Sequence, residues 1–144
     1  MTTSTVPADR SRLSVGRTVG VLSAAAVVAV LVNSLVVLVA TRAGVDPAYP
    51  PITLPVYGAF SALGVVVGWL GWRAISRRAR RPRRALTMLV PIVLVASFIP
   101  DVLLATMKFI PGTTTGAALT LMAMHVVVAA VAVPAYLMAG PVRD

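Results

Sequence analysis

Residues 73–84 read RAISRRARRPRR, placing Arg73, Arg77, Arg78, Arg80, Arg81, Arg83 and Arg84 in one run that contains no acid. Long apolar stretches flank the run on both sides. A guanidinium at the centre of a bilayer costs about 2.5–3.5 kcal/mol on insertion scales. The run therefore cannot enter hydrocarbon. It must form a loop at a membrane face, and the stretches on either side read as membrane spans.

Composition agrees with that reading. The chain has 144 residues, of which 58% are hydrophobic and 12% charged, about half the charged share of a soluble domain. It contains no Cys, no Glu and no Gln, and its one histidine is His125. The absence of Cys excludes a disulfide framework, a zinc knuckle, an iron–sulfur site and a thiol nucleophile. One histidine cannot build a multi-histidine metal site, so neither a metal nor a cofactor is expected. There is no GxGxxG or Walker-type loop to cradle phosphates. No nucleophile–base set is visible, so an enzyme is not expected either.

The net charge of +9 is compatible with nucleic-acid binding, but most of it sits in the one loop between spans. Basic loops of that kind are the ordinary outcome of the positive-inside bias. Nucleic acid is therefore not an expected partner, whereas the bilayer and its anionic headgroups are.

Taken in order, residues 1–16 are polar and small and read as a disordered tail, leaving residues 17–139 as the membrane domain and 140–144 as a C-terminal tail. The first apolar stretch, 18–40, is too long for a signal-peptide core and long enough to span hydrocarbon, which takes about 20 residues. Gly44, Pro47, Pro50 and Pro51 mark a loop, and Tyr49 within it suits the headgroup level. A second helix is expected over about 52–75, with Trp69 and Trp72 as interfacial anchors. Tyr57, Ser61, Gly64, Gly68 and Gly71 recur at steps of four and three along it, which places them on one face. Small residues on such a face admit another backbone closely. That partner is another helix of the bundle, or a second copy in a homo-oligomer. A third helix over about 85–107 contains Pro91 and Pro100, each expected to bend it. A fourth runs over about 116–138. The expected fold class is all-α, a bundle of four transmembrane helices.

Basic residues orient the bundle. Arg10, Arg12, Arg17, the seven loop arginines and Arg143 fall on one side, and Arg42 and Lys108 on the other. The positive-inside bias then puts both termini and the arginine loop in the cytoplasm of a bacterial inner-membrane protein. Arg77, Arg78, Arg80, Arg81, Arg83 and Arg84 are placed to touch anionic lipid at that face.

Asn33, Tyr57, Ser61, Asp101 and His125 are the polar groups inside the spans. Asn33, Asp101 and His125 each lie roughly 10–14 Å below the outer end of their helix. Tyr57 is shallower and Ser61 at about the same depth. Together they form a polar layer in the outer half of the bilayer. Asp101 and His125 are the costliest to bury and the natural partners, so they form a candidate ligand or proton site. The plainer reading is a hydrogen-bonded cluster that pins helix register.

The segments PDVLLA at 100–105 and MHVVVAAVAVPAY at 124–136, with the arginine-rich middle loop and the abundance of Ala and Val, resemble a family of small uncharacterised actinobacterial four-helix membrane proteins. The likeness runs from Gly16 to Met138. It implies the four-span fold and no established activity. Small multidrug exporters are similar in size and span number, but their helix 1 carboxylate has no counterpart in a chain without Glu. The reading is thus a multi-pass membrane protein with a structural or accessory role. The alternative is a small proton-coupled transporter or ligand-binding protein that uses Asp101 and His125.

Overall fold

The structure, a computed structural model, describes residues 9–140 and 142. Every regular element in that range is helical. The elements are α1 (Asp9–Arg42), a single 3-10 turn (Pro50–Ile52), α2 (Leu54–Arg78), α3 (Pro82–Ser97), α4 (Ile99–Met107) and α5 (Thr115–Ala139). Four segments are long and apolar enough to cross a membrane: Val15–Arg42, Leu54–Arg78, Pro82–Met107 and Thr115–Ala139. The fold is the expected all-α four-span bundle. Helices satisfy their backbone groups internally, and an apolar sequence of this length needs that in hydrocarbon.

The helices run alternately up and down, and an apolar cluster fills each end. One gathers Ala25, Trp69, Trp72, Leu86, Ala135 and Tyr136. These residues come from early α1, late α2, early α3 and late α5. The other gathers Val45, Tyr49, Ile52, Tyr57, Leu104 and Met124 at the opposite end. Helix α5 packs against all four other helices, and α1 has its most extensive contact with it. A span that is apolar on every side suits that central place.

Several boundaries differ from those expected. The chain is already helical from Asp9, within the stretch read as a tail. Residues 1–8 of that tail lie outside the described residues. At the other terminus, the backbone N–H of Gly140 closes α5 on Tyr136 O at 2.9 Å, and Val142 is buried. The remainder of the 140–144 tail, Arg143 included, lies outside the described residues.

The third span comes in two pieces. Helix α3 passes through Pro91 without ending, and the interruption falls at Phe98, between α3 and α4. Pro100 is the second residue of α4, where the missing N–H matters least. Phe98 N–H turns back to Val95 O at 3.1 Å, and Ser97 Oγ donates to Leu94 O at 2.6 Å. The carbonyls near the break are thereby partly satisfied.

The 43–53 connection folds onto the bundle. Helix α1 ends in a Schellman motif: Gly44 adopts φ +97°, Val45 N–H bonds Ala40 O at 3.0 Å, and Gly44 N–H bonds Thr41 O at 3.1 Å. Val45, Tyr49 and Ile52 are all buried. Tyr49, expected at headgroup level, instead sits inside and reaches Thr113 Oγ1 at 3.1 Å. Thr113 gives its own hydrogen to Ile110 O, so the phenol is the donor. The two loops at this end are therefore tied together. Trp69 and Trp72 likewise depart from expectation. Both are buried, with ring centroids 5.7 and 5.6 Å from that of Tyr136. Offset or tilted aromatic pairs at this spacing attract one another, and packing on Tyr136 displaces the interfacial role.

Candidate functional site

The polar residues of the spans are held in two sets. The first joins α1 to α2. Ala25, Ala29 and Asn33 follow one another at four-residue steps on the buried face of α1. Asn33 Nδ2 donates to Ser61 Oγ at 2.9 Å, with both side chains buried. One turn along, Ser34 Oγ lies 2.8 Å from Tyr57 OH. Ser34 also donates to Val30 O at 2.8 Å, so its single hydrogen is used and Tyr57 is the donor in the cross-helix bond. Asn33 Oδ1 is buried without a hydrogen-bond partner.

The second set joins α4 to α5. The break at Phe98 puts Asp101 in the first turn of α4, at the positive end of that helix's dipole. A carboxylate in such a position gains about 0.3–1 kcal/mol at an exposed site, and up to ~2 when partly buried. Asp101 Oδ2 lies 3.3 Å from His125 Nδ1. The same nitrogen is 2.9 Å from Leu121 O, one turn earlier on α5. Nδ1 can carry only one hydrogen. When it donates to Leu121 O, the carboxylate is left with proximity and no hydrogen bond, and Oδ2 is indeed a buried oxygen without a donor. The Asp101 side chain is 7% exposed and that of His125 is 41% exposed. The pair thus has a covered acid and an open imidazole. Phe98 meets the imidazole edge-on, with centroids 6.4 Å apart, so the residue at the helix break also walls the site.

No hydrogen bond among the described residues connects the two sets. The five residues expected in one polar layer form separate pairs: Asn33 with Ser61, Tyr57 with Ser34, and Asp101 beside His125. Among the described residues, no group of three or more His, Cys, Asp or Glu could hold a metal ion.

The glycine face of α2 divides. A Cβ at Gly64 would stand 3.3 Å from Val128 Cγ1, and one at Gly68 would overlap Tyr136 OH, whereas Gly71 has open space around it. Gly64 and Gly68 therefore face α5 within the bundle, and Gly71 does not take part. The reason for Gly68 is a bond that sequence reasoning missed: Tyr136 OH donates to Val65 O at 2.6 Å. Its acceptor is a backbone carbonyl, which leaves no trace in side-chain identity. The available signal was a lone tyrosine near the end of an apolar span, opposite a glycine. Trp72 Nε1 and Ser76 Oγ, near the same end of α2, are buried without a hydrogen-bond partner. Arg77, Arg78, Arg80, Arg81, Arg83 and Arg84 are all exposed around the α2–α3 turn, away from both sets.

No curated protein and no solved structure matches the chain. A family model described as a family of unknown function does match, over residues 13–140. That match takes in all four spans, both polar sets and the arginine turn. The chain therefore belongs to the family of unknown function DUF6069.

Proposed function

We propose that this protein is a non-enzymatic, multi-pass protein of a bacterial inner membrane, structural or accessory in role. Its intramembrane polar groups serve mainly to hold the helices in register. The observation that carries this reading is the pairwise closure of polar side chains between elements: Asn33 on Ser61, Tyr57 on Ser34, Tyr136 on Val65 O and Tyr49 on Thr113. Polar groups that cross helices in hydrocarbon act as glue worth about 0.6–2 kcal/mol each. The distribution of arginine supports cytoplasmic termini and a cytoplasmic α2–α3 turn. The Ala-, Val- and Arg-rich composition supports an actinobacterial source.

A second reading, a proton- or ligand-binding site, is favoured at one place only. Asp101 Oδ2 is buried without a donor, and its neighbour His125 is open. Asn33 Oδ1 also lacks a donor, but its amide is closed on Ser61 with both side chains buried, whereas the Asp101 carboxylate stands beside an exposed imidazole. A thermal-shift screen of purified protein across pH and small ligands, with Asp101→Asn in parallel, separates the two. The structural role predicts no ligand-dependent stabilisation in either protein. Stabilisation of the wild type that Asp101→Asn abolishes would replace it with the binding role.

A further inference from the structure

We infer that the α2–α3 turn is a docking surface for anionic phospholipid headgroups. Arg77 and Arg78 close α2, Arg80 and Arg81 lie in the turn, and Arg83 and Arg84 open α3. All six are exposed. The connection between the two spans is only residues 79–81, so it cannot lift these side chains clear of the membrane. They are held at headgroup depth on both sides of the turn. The sequence between Asp46 and Asp101 contains no acid, so the helical hairpin that carries the arginines supplies no counter-charge of its own.

Local electrostatics at the turn make an outside anion more favourable still. Arg77 and Arg78, in the last turn of α2, complement that helix's dipole. Arg84 does the reverse, standing in the first turn of α3, which has no acid and whose N-cap, Arg81, makes no side-chain capping bond. Positive charge on the positive end of a dipole is unfavourable until an anion arrives. Guanidinium groups match phosphate oxygens in bidentate geometry, and Pro82 fixes the backbone from which Arg83 and Arg84 project. Nucleic acid carries the same phosphate chemistry. It would need the arginines to stand free of the bilayer, and a three-residue turn between spans does not present them that way.

The test is native mass spectrometry of the purified full-length chain from micelles containing equal phosphatidylglycerol and phosphatidylcholine. Retained lipid should favour phosphatidylglycerol by about tenfold. Arg80→Gln, Arg81→Gln and Arg84→Gln combined should cut that ratio to about threefold, while leaving four loop arginines to maintain orientation. If the triple variant fails to insert, salt provides the same test on the wild type, since about 0.5 M NaCl should erase most of the preference. Equal retention of the two lipids overturns the proposal. So does a preference left undiminished by the triple variant or by high salt. Displacement of the lipid by a short DNA duplex would also overturn it and reassign the surface to nucleic acid.

Discussion

The phenol of Tyr136 donates to the carbonyl oxygen of Val65 at 2.6 Å, bridging α5 and α2 across the bundle. The bond exists because Gly68, one turn beyond Val65, has no Cβ to occupy the space of the hydroxyl. Trp69 and Trp72 then close over the ring. One small residue and one large one thus set the contact between a central helix and its neighbour.

That relationship predicts opposite outcomes for two glycines on one helix. Gly68→Ala should destabilise the fold by about 1–3 kcal/mol, the usual range for overpacking. Gly71→Ala meets nothing within 4 Å and should be neutral or stabilise by roughly 0.5–1 kcal/mol through helix propensity. Tyr136→Phe should cost about 1 kcal/mol and should lessen the penalty of Gly68→Ala when the two are combined. Reversible unfolding in mixed micelles measures all four variants. A Gly71→Ala loss as large as that of Gly68→Ala would mean that the face of α2 is used differently.

Lys108 ends α4 with φ +50°, the one non-glycine residue at positive φ among the described residues. The left-handed conformation costs an L-residue about 1–2 kcal/mol. Lys108→Gly should therefore raise stability by up to ~1 kcal/mol. Lys108→Ala should not. Equal effects of the two substitutions would place the origin in the lysine charge instead.

How much of this is legible in the sequence depends on which atoms carry the information. Span number and the position of the α2–α3 turn follow from side-chain hydropathy and charge alone, and both are plain in residues 73–84. The site of the break in the third span is less so. Pro91 and Pro100 look alike in the sequence, but Pro91 is accommodated inside α3, while Pro100 falls at the start of α4. Tyr49, Trp69 and Trp72 stand near span ends, where an aromatic ring suits headgroups and core equally well. Only the position of Tyr136 and the folding-back of the 43–53 loop decide between the two. The approach of Asp101 to His125 is readable from their similar distances to the turn that joins α4 and α5. The competing acceptor Leu121 O is not, because it is backbone.

Orientation is open to a direct check. Reporter fusions after the C-terminus and within the turn near Arg80 should both report cytoplasm, as should one at the N-terminus. A fusion at Asp46, in the 43–53 loop, should report the opposite side. Periplasm-type signal at Arg80 would invert the bundle. Signals from the two termini on opposite sides would break the four-span count.

Asp101 and His125 are the only acid and the only histidine within the spans, 3.3 Å apart across α4 and α5, and they act as one site only if they are energetically joined. A double-mutant cycle of Asp101→Asn and His125→Ala, read by unfolding in detergent, measures that link most directly. The expected result is a coupling energy of about 0.5–2 kcal/mol. That coupling comes from electrostatic attraction across the 3.3 Å gap, which either single change removes, since His125 Nδ1 bonds Leu121 O and Asp101 Oδ2 has no donor. Strict additivity of the two changes would contradict the account and dissolve the site.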